Sequence, residues 1–214
     1  MKSTTTGTRK RLLRWTAWPE WGLLGPALIG ALLLMCLLLA SSPVAAYSYA
    51  EAGTEPLLEW RQTLLKALAE KDEAALGEVV PDVLAEADYL DVRYATELRD
   101  ALEDAVAVRD TEQVTRLMDQ VFALKVIHRL ELAEKSLDDY QKAKVLVAKT
   151  RAYMAPLMPR LSPPAREEAE RLLHECVQAV GQPGVFGAGA VPPDRDGLVK
   201  ARKQLAGLLR QHLF

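Results

Sequence analysis

From residue 54 onward, apolar side chains recur every three or four positions and do not alternate. Leu57, Trp60, Leu64, Leu65 and Leu68 set the spacing, which buries one stripe of a helix and cannot line one face of a strand. The start signals agree with it. Thr54 caps a segment opened by Pro56, and Asp72 caps a second over Glu73–Val80. Pro81 is expected to break or kink the chain and to start a helix from about Asp82 to Arg109. Asp110 or Thr111 opens the next, to about Leu137, and Asp138-Asp139 one that ends near Pro156 and Pro159. Ser162-Pro163-Pro164 begins another, with Glu167 and Glu168 in its early turns, where the helix dipole favours acids. A last helix spans about Asp194 to His212. Strand patterns and hairpin turns are absent. The expected class is all-α, an antiparallel helical bundle of about five to six helices.

Half the residues are apolar and 26% are charged, a balance that folds, at a length that suits one domain. Residues 47–180 form the expected bundle and 198–214 its C-terminal helix. Between them "GQPGVFGAGAVPPDRDG" (181–197) is too rich in glycine and proline for regular structure and reads as a linker loop, with Val185 and Phe186 as apolar residues able to dock. A faint repeat runs through the first helices. "KALAEKDEAALGEVVPDVLA" (66–85) aligns with "DAVAVRDTEQVTRLMDQVFA" (104–123), 38 residues on, so that helix end, basic residue, Asp cap and next helix coincide. Two related hairpins satisfy this; a solenoid needs about three or more copies.

Charge is unevenly spread. Residues 1–46 hold five basic residues and one acid, leaving 22 basic and 28 acidic residues in the body. An acidic body argues against nucleic acid, whose phosphates need clustered cations. The basic stretch precedes "LLGPALIGALLLMCLLLASSPVAA", without charge from Leu23 to Ala46, and Val44-Ala45-Ala46 places small residues before Tyr47. Residues 1–46 are thus expected to be a signal peptide, or an uncleaved anchor that spans a membrane through residues 23–40. Positive charge stays on the cytoplasmic side, so either reading puts the body outside, in the periplasm or on the outer face of an inner membrane. Cleavage would leave Cys176 as the lone cysteine, unable to form an internal disulfide and expected to be a small buried hydrophobe.

One polar constellation interrupts the apolar seams. In the helix after Asp110, Val114, Leu117, Val121 and Leu124 form a four–three seam whose next positions are His128 and Glu131. A rival stripe of Val126, Leu130, Ala133 and Leu137 would turn those two to water. In the preceding helix Asp91 falls on the seam of Tyr94, Leu98, Ala101, Ala105 and Val108. The two helices join through a tight turn near Asp110 and are expected to be antiparallel neighbours, so positions summing to about 219 lie level. Asp91 then faces His128, and Asp88 faces Glu131. Three carboxylates and an imidazole with i, i+3 spacing are oxygen and nitrogen donors suited to Fe, Mn or Zn. The ordinary alternative is inter-helix ion pairing with Arg93, Lys125, Arg129 and Lys135.

Other features are weaker. Lys142, Lys144, Lys149 and Arg151 give one helix a basic surface able to dock an acidic partner. His174 and Cys176, two apart, point to different sides of their helix. No nucleophile elbow or phosphate-cradling glycine loop is present. The expectation is an exported, non-catalytic binding or scaffolding module that engages an envelope protein and, if the N-terminal segment is kept as an anchor, associates with the membrane through it. The alternative is a periplasmic metal-binding or metal-delivery protein with a divalent transition metal at Asp88, Asp91, His128 and Glu131.

Overall fold

The computed structural model describes residues 55–184 and 189–214. The expected signal peptide or anchor over 1–46 and the Thr54 cap lie outside them. Seven α-helices cross the described residues, with no strand among them. They are α1 (Pro56–Glu70), α2 (Glu73–Tyr94), α3 (Leu98–Ala107), α4 (Thr111–Lys135), α5 (Tyr140–Met154), α6 (Pro163–Ala179) and α7 (Arg195–Leu213), with a 3₁₀ turn at Met158–Arg160 before α6. Four of the helices start on an aspartate whose carboxylate accepts a hydrogen bond from a backbone N–H of the first turn. Asp72 takes that of Ala75, Asp110 that of Gln113, Asp139 that of Lys142 and Asp194 that of Gly197. Each such cap satisfies a donor that the helix leaves open.

Two expectations about the second and third helices are corrected. Pro81 lies inside α2 and does not end it. A proline ring presses on the carbonyl four residues back. Here that residue is Gly77, exposed and with open space around it, while Leu76, Val79 and Val83 on the same helix are buried and hold it to the core. The chain breaks instead at Ala95, in the left-handed region at φ 53°. The expected helix over 82–109 is therefore two, and α3 is an extra element between α2 and α4.

That insertion reverses a direction. α2 and α4 run parallel, not antiparallel, with Glu86 against Lys125, Tyr89 against His128 and Arg93 against Glu131, all at separations of 38 or 39 residues. The 38-residue repeat is thereby given a physical form. Its basic residues, Lys71 and Arg109, both adopt left-handed conformations (φ 58° and 57°), and each is followed by its capping aspartate. Helix pairs α1–α2 and α3–α4 stack with matching positions nearly level. Arg109 of one turn pairs with Glu73 just after the other.

α4 is the central element. It packs on α1, α2, α3, α5 and α7, and thirteen of its twenty-five residues are buried. Both stripes read from the sequence are buried together. Val114, Leu117, Val121, Leu124 and His128 face some neighbours, and Val126, Leu130, Ala133 and Leu137 face others. A helix surrounded on most sides needs no polar face. Two buried carboxylates fasten its neighbours. Asp119 pairs with Arg61 of α1 at 3.3 Å and Arg160 of the 3₁₀ turn at 3.0 Å. Glu55, at the start of α1, meets Arg129 of α4 at 3.0 Å and Lys149 of α5 at 2.7 Å, and accepts a hydrogen bond from the Tyr153 hydroxyl.

Beyond α6 the described part of the glycine- and proline-rich loop has a closed neck. Gln182 and Val191 exchange two backbone hydrogen bonds of 2.9 Å, and the Asp194 N–H donates to the Ala179 carbonyl at 2.8 Å. Gly181 makes the turn at φ 76°, where a Cβ would come within 2.5 Å of the Val191 carbonyl oxygen. Only glycine fits there without displacing the neck.

Candidate functional site

His128 is buried, as its seam position implied. Its Nε2 shares a 3.0 Å hydrogen bond with the Tyr89 hydroxyl, and the two rings meet edge to face. Its Nδ1 is buried with no hydrogen-bond partner, a cost that either tautomer incurs. Burial first, then the positive charges of Arg93 and Lys125, lowers the imidazole pKa to about 4, with Glu131 opposing weakly. The ring is neutral near pH 7.

The other three expected ligands do not join it. Glu131 accepts from Arg93 at 2.5 Å and from the Tyr94 hydroxyl at 3.2 Å, with Arg202 of α7 at 3.8 Å. These partners hold its carboxyl below the usual range against the opposing effect of burial. Asp91 turns toward α3. It accepts from the Thr96 hydroxyl at 2.6 Å and from the N–H groups of Leu98 and Arg99, both at 2.8 Å. The polar residue on the apolar seam is thus the cap of the helix that begins seven residues later. Asp88 is exposed. Among the described residues no three His, Cys, Asp or Glu side chains are grouped to hold a metal ion. The level arithmetic failed because it assumed antiparallel helices. In parallel register His128 meets Tyr89, and Asp91 lies two residues further along, on another side of α2.

Cys176 is buried and free, and burial raises its thiol pKa to about 12. It is the inert core thiol expected. His174 on α6 is exposed and reaches only Gln178, at 3.4 Å.

The arrangement best suited to hold a ligand lies elsewhere, between α5 and the end of α6. A cleft of about 500 Å³ is lined on one wall by Tyr140, Lys144, Val147, Ala148 and Arg151. These positions are spaced by three and four or their sums and so share one face of α5. Val177, Gln178, Val180, Gly181 and Gln182 form the other wall. A second hollow of about 360 Å³ shares Tyr140, Val180 and Gln182 with it and continues to Pro183 and Val191–Pro193 at the loop neck. Together they make one trough.

Its electrostatics are simple. The Lys144 ammonium lies 5.3 Å from the centre of the Tyr140 ring. The Arg151 side chain is exposed and makes no hydrogen bond or ion pair among the described residues. The only acid on the trough walls is Asp138, at the far end. The basic surface read from the sequence is therefore divided. Lys149 points the other way, into Glu55, and Lys144 and Arg151 serve the trough. What the sequence reading missed was the opposite wall. Its signal was Gly181 directly after α6 and the apolar Val191-Pro192-Pro193 ten residues on. No protein-family model, curated protein or solved structure matches the chain.

Proposed function

We propose that this chain is an exported, non-catalytic binding module of the cell envelope, an α-helical bundle that engages a protein partner through the face formed by α5, the end of α6 and the loop neck. The trough carries this reading. It offers apolar wall, amide groups and positive charge along one helix face, and its described lining contains no Ser, Thr, Cys or His, the usual nucleophiles and base of acyl transfer. The rest of the fold supports it. Stacked hairpins around a buried central helix make a frame, and the buried ion clusters at Glu55 and Asp119 fasten α1, α4 and α5, the second of them beside a smaller hollow of about 280 Å³ lined by Arg116, Asp119, Arg160 and His212. Export rests on the basic residues ahead of the charge-free run 23–46. No helix among the described residues is long and apolar enough to cross a membrane.

The test has two arms. Full-length protein with an epitope tag after Phe214 is fractionated, and protease accessibility from outside the inner membrane is expected; protection in the cytoplasm would overturn export. The same protein is cross-linked in intact cells, and the captured protein is purified and titrated against it. Direct, saturable binding supports the module reading. A monodisperse protein to which no purified candidate binds would reject it.

A further inference from the structure

The trough is directional, and its two ends ask for different chemistry. Tyr140 to Arg151 spans eleven residues of α5, about 16 Å at the helical rise of ~1.5 Å per residue. An extended chain rises about 3.3 Å per residue, so roughly five peptide residues would cover that face. At one end Tyr140, Val191, Pro192 and Pro193 line the trough, and Val191 is nearly half exposed among the described residues. At the other end lies Arg151, exposed on the same helix face, while Lys144 sits between, one turn from Tyr140 and with its ammonium 5.3 Å from that ring. The polar amides of Gln178 and Gln182 line the wall opposite α5, and the Gln182 amide N–H is already engaged by the Gly189 carbonyl at 3.2 Å.

Charge selects the occupant. The body beyond residue 46 is acidic, with 28 acids against 22 bases, so a long polyanion such as a nucleic acid meets net repulsion over most of its path. A short acidic segment does not, because it touches the protein only where the cations are. We propose that the trough binds an extended peptide segment of a partner protein, with an apolar residue seated at the Tyr140–Pro193 end and a carboxylate paired with Arg151 at the other. The proposal rests on the binding-module reading and adds the ligand class and its orientation. Guanidinium–carboxylate pairing fixes the direction of the peptide, since Arg151 presents a planar fork and the carboxylate a matching pair of acceptors.

Full-length protein in mild detergent is titrated by fluorescence anisotropy with labelled six-residue peptides. They carry a leucine–proline pair and, four residues away, two glutamates, two glutamines or two lysines. The glutamate peptide is expected to bind saturably and at least about tenfold more tightly than the glutamine peptide, and the lysine peptide not at all. Arg151→Glu is expected to abolish that preference and to confer binding of the lysine peptide, a reversal that misfolding cannot produce. Ala148→Trp, which fills the trough at a half-buried position, is expected to weaken all peptides with an unchanged helical melting curve. Equal binding of the three peptides would overturn the proposal, as would tighter binding of a single-stranded oligonucleotide, or an Arg151→Glu protein with unaltered preference. The partner captured by cross-linking separates the two levels of inference. If it binds wild type and Arg151→Glu alike, the trough proposal fails and the module reading stands; if no partner binds wild type, the module reading itself fails.

Discussion

His128 shows how a buried side chain makes stability depend on pH. Its folded pKa is about 4, against an ordinary value of 6.5. Between those values the unfolded chain binds a proton that the folded chain refuses, so stability rises with pH through that window and falls on acidification. His128→Gln removes the titration. The wild type is expected to lose melting temperature more steeply than the variant between pH 6.5 and 4, measured by circular dichroism. Parallel curves would mean that the imidazole is not held neutral by burial. Glu55 is also lowered, despite its burial, by Lys149, Tyr153 and Arg129. Its contribution is present above the ordinary carboxylate value of 4.5 and fades only as pH falls below that, so the upper part of the window reports on His128. Glycines give a paired test at the same scale. Gly181→Ala places a Cβ against the Val191 carbonyl at positive φ and is expected to cost about 1–3 kcal/mol in urea denaturation. Gly207→Ala, in α7 with open space around it, is expected to stabilise by up to about 1 kcal/mol.

At the scale of elements, the break between α2 and α3 is held by one carboxylate. Asp91 satisfies two N–H groups at the start of α3 and the Thr96 hydroxyl. Asp91→Ala is expected to cost about 1–2 kcal/mol and to speed hydrogen exchange in α3 while α5 keeps its protection. Uniform acceleration over both helices would mean that α3 has no separate dependence on the cap. This break also marks the limit of what the sequence made legible. Starts were readable because an aspartate before an apolar run has one good structural use, and Asp72, Asp110, Asp139 and Asp194 are all found in it. The stop at Ala95 was not, since alanine gives no local sign of a left-handed conformation and the reason for it lies in Asp91 four residues earlier. Pro81 misled in the opposite sense, because burial of Leu76, Val79 and Val83 outweighs a lost backbone hydrogen bond. The candidate metal ligands inherited the error. His128 takes the buried one of the two positions the sequence left open, but its neighbours depend on helix direction, which one unseen turn inverted. The basic face of α5 was visible, whereas its division between Glu55 and the trough depends on packing that no single helix encodes.

For the whole molecule, the repeat and the central helix explain one another. Two hairpins offset by 38 residues stack in parallel, and α4, the last helix of the second, becomes the element on which α5 and α7 also pack. Arg202 of α7 reaches Glu131 and Glu134 at one end of α4, and Gln120 donates to the Leu213 carbonyl at the other. A body without a disulfide among its described residues depends on such cross-connections and on its apolar core. Glu55 is the connection with the widest reach, joining the first turn of α1 to α4 and α5. Its removal leaves Arg129 and Lys149 without their shared carboxylate. Both cations keep about a fifth to a quarter of their side-chain surface in contact with water, so they recover part of their hydration. Glu55→Ala is therefore expected to destabilise by about 2–3 kcal/mol, at or below the low end of ~3–5 kcal/mol for breaking a fully buried pair. Lys149→Ala, which leaves Glu55 with Arg129 and Tyr153, is expected to cost less, and the double variant less than the sum of the two singles, because the lysine has nothing left to lose. Urea melts of the four proteins decide it. Strict additivity would show that the cluster is a set of independent surface contacts, and α1 would then be held to the rest of the fold by its apolar stripe of Leu57, Leu64 and Leu68 and by the Arg61–Asp119 pair.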